Sequence, residues 1–147
     1  MDTAARAARE RFLTLLRQLS RAYQAFESYD ARGLRQHGLT PAQGDVVFTL
    51  GNTPGMRCAE LGEKTLITKG TLTGVLDRLE SKGLISRRPS EEDRRSVVVA
   101  LTPEGEDLFR RVFPAHVAYL GERLSKLSAG DRDRAIEVLA KIQKVFD

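Results

Sequence analysis

A change of hydrophobic period within one short stretch constrains this chain more than any other feature. Residues 68–102 read TKGTLTGVLDRLESKGLISRRPSEEDRRSVVVALT. Leu72, Val75, Leu76 and Leu79 recur at helical spacing and make a single apolar stripe. Thr68 stands where an N-cap belongs, with a hydroxyl able to accept from a first-turn N–H. Gly83 follows at the position where a helix ends in a left-handed residue, and Leu84 comes next, able to pack back on Leu79. Beyond it the period changes. Residues 84–88 and 96–101 read as two short strands, the second rich in valine. Pro89-Ser90-Glu91-Glu92-Asp93-Arg94-Arg95 joins them, too charged to be buried.

A helix followed by a two-stranded hairpin with a basic tip describes a winged helix-turn-helix. Such a helix lies in the major groove of DNA, and such a tip reaches an adjacent minor groove. Upstream, Thr40-Pro41-Ala42-Gln43 is a helix start with a cap, a proline at the first position and a capping-box glutamine. Val46, Val47 and Leu50 carry that helix to Gly51, and Asn52-Thr53-Pro54-Gly55 is a turn. Residues 57–64 read as a short helix with Ala59 and Leu61 inward, and Thr65-Leu66-Ile67 is the turn into the longer helix.

The run Leu76-Asp77-Arg78-Leu79-Glu80, then Lys82-Gly83-Leu84-Ile85, resembles the recognition helix of the multiple-antibiotic-resistance regulator (MarR) family. Asp93-Arg94-Arg95, Val97 to Leu101, Thr102 and Gly105 are similar to that family's wing signature. The resemblance spans nearly the whole chain, with its specific motifs between Leu39 and Gly105. It implies a mainly α fold with a small two-stranded β-wing, and a single domain over residues 1–147. The winged helix-turn-helix would occupy about 40–102, and dimerisation helices about 4–36 and 103–147. It implies a homodimer that binds a pseudo-palindromic double-stranded DNA operator as a repressor. A small phenolic or anionic effector would release it.

The end segments fit that scheme. Residues 4 to about 36 read as one long helix, with Phe12, Leu15, Leu16, Leu19, Tyr23 and Phe26 on one face. Its length exceeds what a small winged domain can cover. Thr102-Pro103 starts another helix, which Pro114 should kink. A last helix begins at Ser128 and stays apolar through Ile136, Leu139, Ile142, Val145 and Phe146. A terminal helix of that kind docks on something.

Within the recognition helix, Gly70 and Gly74 lie opposite the buried stripe. Each costs about 1 kcal/mol against alanine on an exposed helical face. A solvated face gains nothing from them, whereas a face pressed on DNA gains close backbone approach. Thr68, Lys69, Thr71 and Thr73 flank that line, with groups suited to phosphates, a guanine edge or a thymine methyl. Arg78 either contacts phosphate or pairs with Asp93 and sets the angle of the wing, and the resemblance favours the pair. Glu91, Glu92 and Asp93 almost cancel Arg94 and Arg95, so the tip is not a generic cationic patch. The family pattern makes Arg95 the minor-groove residue and sets Arg94 beside the phosphates. The resemblance also implies an effector cleft between the dimer helices and the DNA-binding module. Tyr23, Phe26, His37, Phe48, Phe113 and His116 are its candidate walls, although each also reads as ordinary core or surface.

Composition excludes several other classes. A net charge of +4 permits nucleic-acid binding without demonstrating it. No apolar run approaches the roughly 20 residues of a membrane span, and the N-terminus lacks the apolar core of a signal peptide, so the expected location is the cytoplasm and no membrane partner is expected. One cysteine, Cys58, allows no intrachain disulfide. It reads as a small apolar residue near a helix start rather than a redox sensor. Two histidines far apart, no metal-spaced cluster and no nucleophile or phosphate-loop motif argue against an enzyme, a metal site or a cofactor. The alternative is a winged-helix module that binds only protein.

Overall fold

In a computed structural model describing residues 2–147, the change of period becomes a helix followed by a hairpin. The elements run α1 Thr3–Ala7, α2 Phe12–Arg35, α3 Pro41–Leu50, β1 Met56–Arg57, α4 Cys58–Lys64, α5 Lys69–Ser81, β2 Ile85–Pro89, β3 Val97–Leu101, α6 Pro103–Leu124 and α7 Ala129–Phe146. The chain divides into two units, one running to Phe113 and the other Pro114–Asp147.

In the first unit the local signals behave as their chemistry requires. The N–H of Gln43 donates to Thr40 Oγ1 and the N–H of Thr40 donates to Gln43 Oε1, both at 3.2 Å, so the capping box starting α3 is closed in both directions. Removing such a cap costs about 1 kcal/mol. At the end of α5, Gly83 adopts φ +75°, its N–H donates to the Glu80 carbonyl at 2.9 Å, and the Leu84 N–H donates to the Leu79 carbonyl at 3.0 Å. That bond pair is the left-handed helix stop expected at Gly83. Thr102 Oγ1 accepts from the Gly105 N–H at 3.1 Å to start α6, and it donates to the Gly83 carbonyl at 2.6 Å. One threonine thus caps α6 and ties the wing base to the end of α5. Gly105 packs so closely there that a Cβ would overlap the Leu84 carbonyl oxygen.

The core sits where α3, α4, α5 and the sheet meet the first turns of α6. Leu34, Val46, Val47, Leu50, Leu61, Leu76, Leu79, Ile85, Val99 and Val112 are fully buried. Each contributes about 1.5–3 kcal/mol of hydrophobic stabilisation.

Three local expectations are corrected. The sheet has three antiparallel strands in the order β1-β3-β2, because Met56 and Arg57 pair with Val99 and Val98 beside the two strands of the wing. Two residues are too few to show a period in sequence. In α4, Leu61 is buried and Ala59 is exposed. Residues two apart lie about 200° apart on a helix, so both could not face inward. The single helix expected from 4 to about 36 is interrupted between Ala7 and Phe12. Residues 3–17 are exposed throughout, and short helical segments without packing are marginal whatever their propensity.

The second unit holds the rest of α6, a turn and α7; α6 continues through Pro114. Ser128 Oγ accepts from the Asp131 N–H at 3.0 Å and caps α7, in which no residue is buried. Among the described residues no helix is long and apolar enough to cross a membrane.

Candidate nucleic-acid interface

Helix α5 buries Leu72, Val75, Leu76 and Leu79 and exposes Lys69, Gly70, Thr71, Thr73, Gly74 and Arg78. A Cβ added to Gly70 or Gly74 would meet nothing within 4 Å. No contact among the described residues therefore explains either glycine. Thr68 occupies the N-cap with extended backbone, but its hydroxyl donates to Thr71 Oγ1 at 3.0 Å and makes no cap bond. The position was legible and the bond was not. Two neighbouring hydroxyls prefer each other, which leaves the first-turn amides without a side-chain cap.

The wing pairs Ile85 with Leu101 through to Pro89 with Val97. Its tip is held by Asp93, whose carboxylate accepts from the Arg95 N–H at 3.0 Å and from Ser96 Oγ at 3.3 Å. The Asp93 carbonyl accepts from the Ser96 N–H at 2.9 Å, and the Ser90 N–H donates to the Ser96 carbonyl at 2.8 Å. The expected pair between Arg78 and Asp93 is not formed. Asp93 instead bonds the backbone two residues on, a turn that aspartate is able to make. Arg78 is exposed and, among the described residues, has no ion-pair partner. Glu92 pairs with Arg57 at 3.3 Å, an exposed bridge worth about 0–1 kcal/mol. Asp93 is engaged with the backbone and Glu92 with Arg57. Arg94 and Arg95 remain exposed cations without ion-pair partners among the described residues.

The tie between helix and wing comes from a residue that sequence reasoning missed. Arg87 on β2 donates from Nη2 to Asp77 Oδ1 at 2.7 Å and to Glu80 Oε1 at 3.0 Å, and from Nε to Glu80 Oε2 at 3.3 Å. The available signal was two acidic residues three apart on α5 followed by an arginine on the first wing strand. The hydrogen bonds from Arg87 hold the Glu80 carboxyl below its ordinary range and push the Arg87 guanidinium up. Because the folded-state value of Glu80 is depressed, the tie is complete above the ordinary carboxylate range and is lost as pH falls through the folded-state value. Arg87→Met keeps the apolar stem and removes the fork. It should weaken DNA binding roughly two- to fivefold at neutral pH, as expected for a partly exposed ionic tie, with little change in Tm. Titrations of both proteins against the same duplex at neutral pH check this, and equal affinities would remove the Arg87 fork from the account.

Of the six candidate effector residues, Phe48 and Phe113 come together, with ring centroids 5.1 Å apart, and Phe113 stacks on Phe109 at the same distance. Tyr23 and Phe26 are exposed on α2, and His37 is half-buried beyond its end. His116 is buried and stacks on Tyr119 at 5.8 Å. A groove of about 420 Å³ opens elsewhere, between the start of α4, α5 and the wing. Arg57, Cys58, Thr73, Leu76, Arg87 and Arg95 are among its lining residues. Cys58 itself is half-buried against the core as the first residue of α4.

The model of the MarR family matches residues 39–97, which hold α3 to the start of β3. The HTH-type transcriptional regulator MhqR of Bacillus subtilis (strain 168) is 32% identical over 133 residues, 90% of this chain and 92% of that protein. Two solved structures show the same architecture. The transcriptional repressor CouR, bound to a 23-mer DNA duplex, is 31% identical with a TM-score of 0.75, covering 86% of this chain and 89% of that one. BpsR of Bordetella bronchiseptica, whose DNA binding is regulated by 6-hydroxynicotinic acid, is 25% identical with a TM-score of 0.81, covering 91% and 96%.

Proposed function

The chain belongs to the MarR family of winged helix-turn-helix transcriptional regulators, and from that premise we propose that it is a cytoplasmic, ligand-responsive repressor acting as a homodimer on a pseudo-palindromic operator. Helix α5 enters the major groove along Gly70 and Gly74. Thr68, Lys69, Thr71, Thr73 and Arg78 flank it on phosphates and base edges, and Arg95 enters the minor groove with Arg94 on the backbone. The observation that carries this reading is the combination, on one unit, of a bare glycine face on α5 and, at a wing tip held by the Asp93 hydrogen bonds, two arginines without ion-pair partners among the described residues. Helices α2, α6 and α7 carry the apolar faces for a second copy of the chain.

The effector we propose is a small aromatic or phenolic anion. The aromatic pair Phe48 and Phe113 offers a wall for its ring.

Footprinting on genomic DNA enriched by the purified protein tests the reading. Two half-sites about one helical turn apart are expected, since a two-fold dimer presents two recognition helices. Affinity should fall steeply with salt as released counterions demand. A single asymmetric half-site contradicts the dimer. Absence of retention on duplex DNA even at low salt contradicts nucleic-acid binding and favours a protein-interaction module.

A further inference from the structure

We propose that Leu66 is a specificity-determining residue that reads the C5-methyl group of a thymine in each operator half-site; the inference rests on the DNA-binding reading above. Leu66 is 93% exposed, the most exposed large apolar side chain among those described. Single exposed leucines are common and by themselves mean little. This one differs in its place and its mounting.

The remaining exposed large apolar residues lie on α2, α6 and α7, at Leu127 between the last two helices, or at Val97 on the wing. Leu66 belongs to none of these. It stands in the turn of the helix-turn-helix, two residues before Thr68, at the end of α5 whose side chains meet base edges in this motif. Its neighbours hold it outward. Thr65 is buried, with its N–H on the Leu61 carbonyl at 3.0 Å, and Ile67 packs against the core. The N–H of Leu66 itself donates to Asp45 Oδ2 on α3 at 2.9 Å. The backbone is therefore held on both sides and at its own N–H, and in that setting the Leu66 side chain faces solvent.

A leucine has no donor or acceptor, so phosphates and polar base edges offer it nothing. In the major groove the apolar group exposed by the bases is the methyl of thymine. Contact with that methyl removes apolar surface from water on both sides. A cytosine amino group or a guanine oxygen at the same place would lose water without gaining a partner, so the wrong base is rejected as well as the right one favoured.

The test uses a duplex selected from a randomised pool by the wild-type dimer at one salt concentration. Each thymine is then replaced singly by deoxyuridine, which lacks only the methyl. For wild type, one thymine per half-site should weaken binding about fourfold when replaced, the worth of one buried methyl. Leu66→Ala removes the contact from both half-sites at once, so it should bind the thymine duplex about 16-fold more weakly and show no thymine–uracil difference there. Leu66→Ala with the wild-type ratio at every thymine, or wild type indifferent to all replacements, overturns the inference while leaving DNA binding intact. A wild-type protein that selects no duplex overturns both.

Discussion

Deletion of residues 131–147 is expected to abolish the dimer and to cost about 10²–10⁴-fold in operator affinity, the avidity lost when two linked half-site contacts become independent. The deleted segment carries most of α7, where Ile136 is 68% exposed, Leu139 51%, Val145 78% and Phe146 72%. A capped, regular helix with no buried residue within its own chain has an apolar face that only a partner can cover. Helix α2 shows the same condition at Phe12, Leu15, Leu16, Tyr23 and Phe26. An obligate dimer buries some 2,000–5,000 Å², mostly apolar, and long helices of this kind can supply it. Light scattering should find monomer or aggregate in place of a dimer at micromolar concentration. A soluble dimer with undiminished affinity would place the interface elsewhere.

Arg95→Ala should weaken operator binding by about 1–3 kcal/mol per wing, the range of one good specific contact, and both wings lose it together. The guanidinium gains most in a narrow, A·T-rich minor groove where the negative potential is concentrated. Fold and dimer should survive, because Arg95 is exposed and the bond from its N–H to Asp93 Oδ1 needs no side chain. Arg94→Ala should cost less and act evenly across sequences, as a phosphate contact does. Both variants are titrated against the operator and against a version with G·C pairs under the wings. Arg95→Ala should erase the preference between them. The opposite pattern would exchange the roles of the two arginines, and no effect from either would remove the wing from DNA recognition.

The sequence by itself determined the features that depend on near neighbours. The stripe of Leu72, Val75, Leu76 and Leu79, the box of Thr40 and Gln43, the left-handed stop at Gly83 and the cap at Thr102 each involve residues a few positions apart. Their geometry follows from helix period and backbone sterics, whatever the rest of the chain does. The exposed line through Gly70 and Gly74 was legible for the same reason, as the complement of a buried stripe. What only the tertiary structure decided involves groups distant in sequence or choices between equally suitable partners. Met56 meets Val99 across the sheet, and Arg87 rather than Arg78 ties the wing to α5. Asp93 could bond a remote arginine or its own turn, and hydrogen-bond chemistry alone does not rank the two. The outward setting of Leu66 likewise depends on Asp45, a helix away, accepting its N–H. Charge and donor count state which bonds are available; the folded backbone sets which atoms come within 3 Å, and so which of them form.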